Sequence, residues 1–227
     1  MRIHMLVMTI LGLSVSGCRS LGLESRWADR AGEAENAWRG ALLPLNDRDA
    51  SLSVLNDDKH LHVAFITTDP ELQDRIMKQG LYIWFDPNGG EARRIGIRYP
   101  VAWSVAPVSA DGTPQSEGGP SGSRVPGMGK PGDDLEIYTD GYKEYERMGR
   151  KDAGGIDVRL TTFSDTLLCQ LSVPLGDNTR NPYALDAAPG DLVGVGVETR
   201  YSYPTGESVS AMLPFKAWIK VQLARHP

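Results

Sequence analysis

Short segments in which apolar and polar residues alternate run through most of this sequence, and turn-forming residues separate them. In the segment 60–67, Leu61, Val63 and Phe65 fall on one side and the residues between them fall on the other. A period of two is typical of a β-strand with one buried face. The segments do not alternate with helical patterns, which favours an antiparallel sandwich over a parallel sheet. We therefore predict a mainly β fold, an antiparallel β-sandwich of about nine strands with one short helix.

Turn and cap residues place these elements along the chain. The first two strands form a hairpin around Asn56-Asp57-Asp58-Lys59, whose residues tolerate left-handed backbone. A helix follows, with Asp69 as its N-cap, Pro70 in its first turn and Gly80 at its end. The segment 142–149 fits either a short helix or a turn. The predicted strands cover residues 52–55, 60–67, 81–85, 94–99, 134–138, 156–161, 167–174, 192–199 and 215–223.

The amino-terminal residues have the pattern of an export signal. Arg2 precedes an apolar run over residues 5–13, which has the length of a signal h-region and is too short to span a bilayer. The stretch Val15-Ser16-Gly17-Cys18 resembles the lipobox of bacterial lipoproteins. We expect residues 1–17 to be a cleavable signal peptide and Cys18 to be the lipidated first residue of the mature protein. A plain secretory signal with a chance cysteine is the alternative.

The residue after Cys18 is Arg19 rather than Asp, which in bacterial lipoproteins is typical of transfer to the outer membrane. We therefore expect the protein in the cell envelope, attached to the membrane through its lipid anchor. Residues 18–35 are expected to form the anchor and a linker, and residues 36–227 a single β-sandwich domain. Residues 104–133 are dense in Gly, Pro and Ser, which predicts a long loop within that domain.

Charge, cysteine content and motifs exclude several classes of protein. The formal net charge is −5 and the charges are interspersed, so no basic stripe is available for nucleic acid. The two cysteines are Cys18 and Cys169, and lipidation of the first leaves no pair for a disulfide framework. Cys169 stands in an apolar run and is expected in the core. The common hydrolase, zinc-protease and phosphate-loop motifs are missing, which predicts that the protein is not an enzyme.

Several stretches in a fixed order resemble carbohydrate-binding module family 9 and DOMON-like sandwiches. Trp38-Arg39-Gly40 is followed by Asn56-Asp57-Asp58 and then by Gly80-Leu81-Tyr82-Ile83-Trp84-Phe85-Asp86-Pro87. A later strand over residues 167–175 ends in a similar Val-Pro pair. The resemblance implies a β-sandwich and a carbohydrate ligand. At Gln170 the chain departs from the family, which commonly has Glu there.

Tyrosine-rich segments near predicted strand ends are the candidate ligand contacts. Aromatic rings flanked by polar residues can stack on a sugar, which offers an apolar face together with hydroxyl groups. The alternative is ordinary packing at the ends of strands, where the amphipathic tyrosine ring is common. The candidates are Tyr138, Tyr142, Tyr145, Tyr201 and Tyr203.

Oxygen-donor residues in two predicted turns are calcium candidates. Asp57 lies in the first turn, and Asp86 and Asn88 lie in the second; carboxylate and amide oxygens are the ligands that calcium prefers. Turn chemistry alone also explains these residue types. His60 and His62 share one face of a strand, where they could bind a metal or a haem. The alternative is two ordinary solvent-facing positions.

The sequence as a whole therefore predicts an exported, lipid-anchored β-sandwich lipoprotein that acts as a non-catalytic glycan-binding module. The alternative is an envelope lipoprotein that interacts with other proteins, or has a structural role, and binds no small molecule.

Overall fold

The computed structural model describes residues 21–28, 38–45, 49–101, 134–139, 141–200 and 214–227. The predicted signal peptide 1–17, Cys18, the predicted loop 104–133, Tyr201 and Tyr203 lie outside these residues. The described residues form thirteen strands, one α-helix and two short 3-10 helices. No helix among them is long and apolar enough to cross a membrane.

Most of the strands are short, and the helix lies between the fifth and sixth. The strands are β1 (Leu21–Glu24), β2 (Arg26–Trp27), β3 (Leu43–Pro44), β4 (Ala50–Asn56), β5 (His60–Thr67), β6 (Leu81–Asp86), β7 (Ile95–Tyr99), β8 (Asp134–Tyr138), β9 (Tyr145–Gly149), β10 (Asp157–Phe163), β11 (Thr166–Pro174), β12 (Leu192–Glu198) and β13 (Lys216–Gln222). The α-helix α1 is Pro70–Gln79, and the 3-10 helices are Trp38–Gly40 and Arg150–Asp152.

The strands form two sheets. The seven-stranded sheet has the order β1-β13-β12-β6-β7-β8-β9, and the six-stranded sheet has the order β10-β11-β5-β4-β2, with β3 also paired to β4. Alternate residues of both sheets meet in one hydrophobic core. For example, the rings of Phe65 and Phe215 approach edge-on with their centroids 5.8 Å apart. The predicted mainly β sandwich is confirmed.

The core takes the residues that the alternation predicts. Leu61, Val63 and Phe65 of β5 are all buried there, as is Cys169 of β11. Burial raises the pKa of the Cys169 thiol to about 12, so this group stays protonated at neutral pH. Cys169 is therefore a core residue, as predicted.

The described residues contain thirteen strands where about nine were predicted, and two of them lie in the predicted linker. The additional strands are β1, β2, β3 and β9. Strands of two to five residues are too short to establish a period of two in the sequence. β1 pairs in parallel with β13 and β2 in parallel with β4, so the sandwich is not purely antiparallel. In the segment 142–149, a turn leads directly into β9 instead of forming a helix.

The first described residues connect the two sheets at Asn56. Ser25 lies between β1 and β2 and donates a hydrogen bond to Oδ1 of Asn56. The same Oδ1 accepts from the backbone N–H of Ala224 at 2.8 Å, and Asn56 Nδ2 donates to the Ala224 carbonyl at 3.0 Å. Asn56 is fully buried, so this amide joins the amino-terminal strands, β4 and the carboxy-terminal segment.

The α-helix α1 forms as its cap residues predict. The Asp69 carboxylate accepts hydrogen bonds from the backbone N–H groups of Glu71 and Leu72, and Pro70 occupies the first turn. Gly80 ends the helix with φ at 82°, a conformation that favours glycine. Leu72 and Ile76 are buried against the core, so α1 covers one end of the sandwich.

Candidate functional site

The outer surface of the seven-stranded sheet carries a row of alternating aromatic and glycine residues. Taken across β13, β12, β6, β7, β8 and β9, the residues in register are Trp218, Gly196, Trp84, Gly96, Tyr138 and Tyr145. Tyr82 and Tyr142 contact the same rings. We call the surface formed by Tyr82, Trp84, Tyr138, Tyr142, Tyr145 and Trp218 the aromatic face.

The two glycines of the row make room for the indole rings. A β-carbon on Gly96 would collide with the six-membered ring of Trp84, and one on Gly196 would collide with the ring of Trp218. Each indole therefore lies over the backbone of the neighbouring strand. Large rings can occupy this row because the positions between them have no side chain.

The rings contact one another closely. Tyr82 and Trp84 are stacked with an interplanar angle of 8° and centroids 6.1 Å apart. Tyr142, from the turn between β8 and β9, meets these two rings edge-on, at centroid distances of 5.3 and 5.0 Å. Tyr145 stacks on Tyr138 at 5.2 Å. Edge-to-face and offset stacked pairs add to the stability that burial alone supplies.

Three arginines lie against these rings. Arg93 Cζ is 5.9 Å from the centroid of Trp84 and 5.5 Å from that of Tyr142. Arg200 Cζ is 4.5 Å from the centroid of Tyr142. Arg98 Cζ is 5.5 Å from that of Tyr82. These are cation–π distances, so the face combines apolar rings with cationic hydrogen-bond donors.

Two buried glutamates hold two of these arginines, Arg93 and Arg98, in place. Glu198 accepts hydrogen bonds from Nε and Nη2 of Arg93 at 2.6 and 2.9 Å. Glu136 accepts from Nη1 of Arg98 at 2.9 Å and from the Tyr138 hydroxyl at 2.7 Å. Burial and the bond to Glu136 raise the pKa of the Tyr138 hydroxyl, which stays protonated. The carboxylates of Glu198 and Glu136 are thus already bound by side chains of the protein.

The indole N–H groups of the face are not used by the residues around them. Trp84 Nε1 and Trp218 Nε1 are buried and have no hydrogen-bond acceptor in the described part of the chain. Burial raises the pKa of Tyr142 to about 12, although the nearby Trp84 indole lowers it. The hydroxyl of Tyr142 nevertheless does not complete a hydrogen bond to that indole. A buried donor without an acceptor costs about 1–3 kcal/mol.

The six aromatic residues differ in exposure. Tyr82, Trp84 and Tyr138 are each at most 3% exposed, whereas Tyr145 is 56% exposed. Tyr142 and Trp218 are half-buried. A ligand on this surface would therefore contact Tyr145, Tyr142 and Trp218, and the three buried rings would support them from below.

The structure brings three of the five predicted tyrosines together. Tyr138, Tyr142 and Tyr145 all belong to the aromatic face. Tyr201 and Tyr203 lie outside the described residues.

The structure adds three site residues that the sequence did not predict, which are Tyr82, Trp84 and Trp218. The first two belong to a strongly apolar strand that reads as a central core strand, and the third lies in the last strand. The pattern that could have identified them is the alternation of Tyr82 and Trp84 with core residues, together with Gly96 and Gly196 in the neighbouring strands. A glycine in a strand leaves space for a ring from the strand beside it.

Asp57, a calcium candidate, orders the turn between β4 and β5. Its Oδ1 accepts hydrogen bonds from the backbone N–H groups of Lys59 and His60, both at 2.7 Å. Its Oδ2 lies 3.2 Å from Nε2 of His62. Burial acts in the opposite direction, but the backbone hydrogen bonds keep the pKa of Asp57 below its ordinary value.

Asp86 and Asn88, the other calcium candidates, lie in the turn after β6. The buried Asp86 carboxylate accepts hydrogen bonds from the backbone N–H groups of Asn88 at 3.1 Å and Ala92 at 2.9 Å. The described residues contain no group of three or more His, Cys, Asp or Glu placed to hold a metal ion. The turn geometry accounts for both aspartates, and calcium at these turns stays a prediction.

His60 and His62 are neighbours on the outer surface of the six-stranded sheet, with ring centroids 6.0 Å apart. Burial lowers the pKa of His62, although its partner Asp57 raises it. Both imidazoles line a groove on this surface together with residues of β10 and β11. A metal or haem at these histidines stays a prediction.

Comparison with known proteins adds structural likeness only. No protein-family model matches the sequence, and no curated protein matches it. Among solved structures, the chain is similar to a carbohydrate-binding module of family 9 from Caldicellulosiruptor kristjanssonii in complex with cellotriose. The two are 11% identical with a TM-score of 0.43, over 91% of this chain and 95% of that chain.

Two further structures give the same result. A family 9 module from the same organism in complex with glucose is 11% identical with a TM-score of 0.43, over 90% of this chain and 97% of that chain. A candidate carbohydrate-binding protein from Bacteroides uniformis is 9% identical with a TM-score of 0.45, over 92% of this chain and 93% of that chain. The fold class rests on the chain's own two sheets.

Proposed function

We propose that this protein is a non-catalytic carbohydrate-binding domain whose ligand lies against the aromatic face. The observation that carries the proposal is the row of rings and glycines from Trp218 to Tyr145. A sugar ring presents a C–H face that packs on an aromatic ring, and hydroxyl groups that pair with charged side chains at the rim.

The polar groups around the face suit such a ligand. Arg147, which is 41% exposed, lies beside Tyr145 on β9 and pairs with Asp134 at 3.3 Å. On the other side, the exposed Lys216 and the half-buried Lys220 flank Trp218 on β13. These long side chains can donate hydrogen bonds to hydroxyl groups without leaving a buried charge unpaired.

The pairing of the carboxylates supports a binding role over a catalytic one. Glycosidases place two carboxyl groups on either side of the bond that breaks, and one of them must donate a proton. On the described part of the aromatic face, Glu198 is bound to Arg93, and Glu136 is bound to Arg98 and Tyr138. Neither is positioned as a free proton donor.

Binding of soluble oligosaccharides to the purified full-length protein, measured by calorimetry, tests the proposal. The panel includes glucose and cellotriose together with other glucans, mannans, xylans and amino-sugar glycans. Tyr145→Ala removes the most exposed ring and is expected to weaken binding about tenfold, since one stacking contact contributes about 1 kcal/mol or more.

Phe163→Ala is the matched control. Phe163 is 44% exposed and lies on β10, an edge strand of the other sheet. It is expected to leave the affinity unchanged. Equal loss in both variants, or no binding to any glycan, would contradict the proposal. Reproducible crosslinks to one envelope protein would then favour the protein-interaction alternative.

We further propose that the protein is anchored in the cell envelope through lipidated Cys18, on the basis of the residues around the lipobox-like stretch. Because β1 begins at Leu21, such an anchor would hold the sandwich within about 10 Å of the membrane surface. Growth with a labelled fatty acid tests this. The label should be absent from Cys18→Ser and present in Cys169→Ala, and a labelled Cys18→Ser protein would contradict it.

A further inference from the structure

A groove of about 330 Å³ lies on the outer surface of the six-stranded sheet, on the opposite side of the sandwich from the aromatic face. Three neighbouring strands, β5, β11 and β10, provide its polar lining. These residues are His60, His62, Asp157, Arg159, Gln170 and Ser172.

The concave shape follows from the lengths of the side chains in register. Ala64 lies opposite Gln170, and Ser172 lies opposite His62. The short side chain of Ala64 thus lies beside the longer Gln170, and the short side chain of Ser172 lies beside the longer His62. Cross-strand neighbours are only about 5 Å apart, so this difference in length leaves a depression in the sheet surface. The groove is lined by three paired strands and is therefore a feature of the folded sheet itself.

The two charged residues that line the groove, Asp157 and Arg159, are paired with each other. Asp157 Oδ1 accepts a hydrogen bond from Nη2 of Arg150 at 2.9 Å, and its Oδ2 lies 3.3 Å from Nε of Arg159. At the other end, the Asp57 carboxylate accepts hydrogen bonds from the backbone N–H groups of Lys59 and His60 and lies 3.2 Å from Nε2 of His62. A charged ligand would compete with these contacts for the same groups, whereas an uncharged ligand would leave them in place. The electrostatics therefore favour an uncharged occupant.

Three polar side chains of the lining belong to types that both donate and accept hydrogen bonds. Burial lowers the pKa of His62, so its imidazole is neutral at neutral pH. Gln170 supplies an amide, and the half-buried Ser172 supplies a hydroxyl. Hydroxyl groups of a ligand complement such groups because they too both donate and accept. Leu55 and Ala64 add an apolar surface to the lining.

We propose that this groove is a second ligand site, which binds an uncharged, hydroxyl-rich molecule of one or two sugar rings. Its volume is near the lower end of the range of about 300–1,000 Å³ for small-molecule sites. The proposal goes beyond carbohydrate binding at the aromatic face, since the two sites lie on opposite sheets and either can bind without the other.

Chemical-shift changes in the isotope-labelled full-length protein test the groove. The probes are glucose and cellobiose, with glucuronate and glucosamine as charged counterparts. We expect saturable shifts at His60, His62 and Ser172 with the neutral sugars, and weaker binding of both charged sugars. The same shifts should persist in Tyr145→Ala, which alters only the aromatic face.

Groove variants then separate binding from general effects. Ser172→Leu fills the depression and is expected to raise the dissociation constant about tenfold or more. Gln170→Leu removes one hydrogen-bonding group and provides a second variant if the first folds poorly. Thr161→Leu, at an exposed position of β10 outside the groove, is the matched control and should bind like the unaltered protein.

Three results would overturn the groove proposal. The first is the absence of any saturable shift at the groove at tens of millimolar sugar. The second is tighter binding of a charged sugar than of glucose. The third is a set of shifts confined to the aromatic face and abolished by Tyr145→Ala, which would leave the proposed carbohydrate-binding function standing without the groove.

Discussion

Arg93 donates two hydrogen bonds to Glu198, at 2.6 and 2.9 Å, and so joins the turn after β6 to the end of β12. The same guanidinium lies against Trp84 and Tyr142, and the Glu198 carboxylate raises the pKa of Arg93. The Arg93–Glu198 pair therefore holds the buried Trp84 ring and the half-buried Tyr142 ring in one arrangement.

Glu198→Gln is expected to destabilise the protein by about 1–3 kcal/mol, because it removes a charge-assisted pair that is largely buried on the glutamate side. Urea denaturation measures this. Asp74→Asn is the control, since the Lys78–Asp74 pair on α1 is exposed and contributes less than about 0.5 kcal/mol. An equal effect of the two substitutions would contradict the structural role of Glu198.

Gly96→Ala is expected to destabilise the protein by about 1–3 kcal/mol or more, because the added methyl group collides with the buried Trp84 ring. The urea midpoint should fall, and the tryptophan fluorescence of the folded state should change as the indole moves. Gly22→Ala in β1 is the control, since a β-carbon there meets no atom within 4 Å. If both substitutions proved neutral, Trp84 would not lie over Gly96.

Asn56→Ala is expected to cost about 2 kcal/mol or more, because Ser25 and the backbone of Ala224 lose their buried hydrogen-bond partner. The loss should also loosen the amino-terminal strands, which hydrogen exchange of β1 would detect. Ser53→Ala, in the same strand, provides the contrast. The buried Ser53 hydroxyl has no partner among the described residues, so its removal should be neutral or stabilising.

The pKa of His62 should be below 6.5 in the folded protein, because burial outweighs the attraction of Asp57. The unfolded chain then takes up a proton at a higher pH than the folded chain. The stability should therefore fall as the pH decreases from about 6.5 towards the pKa of folded His62. Denaturation curves at about pH 7.5 and about pH 5 measure this loss.

Asp57→Asn tests the cause of that pKa. Asparagine can still accept the two backbone hydrogen bonds of the turn, but it removes the charge that raises the pKa of His62. A nuclear magnetic resonance titration of the imidazole should therefore give a still lower pKa in the variant. A higher value would show that the Asp57–His62 contact does not exist in solution.

The residues that the sequence assigned correctly carry a local signal. The period of two in the segment 60–67 and the cap residues Asp69 and Gly80 are enough to define β5 and α1. Each of these signals acts within a few neighbours along the chain, where sterics and burial decide the conformation. β1 and β2 have no such signal, because their conformation depends on pairing with β13 and β4.

The aromatic face also has residues that a local sequence signal identifies and residues that only the pairing of distant strands brings together. Tyr138, Tyr142 and Tyr145 lie close together in the sequence, and their shared position could be predicted. Trp84 and Trp218 are far apart in the sequence, and only the pairing of β12 with both β6 and β13 brings them into one row. The glycines that admit these rings are informative only once that register is known.

By itself, the sequence determined the mainly β class, the single well-capped helix, the core position of Cys169 and the cluster of tyrosines around β8 and β9. The tertiary structure alone decided which tryptophans join that cluster, which arginines hold it, and that Ala64, Gln170 and Ser172 line a groove. The physical reason is the distance along the chain over which each effect acts. Alternation and capping are short-range effects that neighbours in the chain set, whereas a binding surface on a sheet depends on the register of strands that are distant in the sequence.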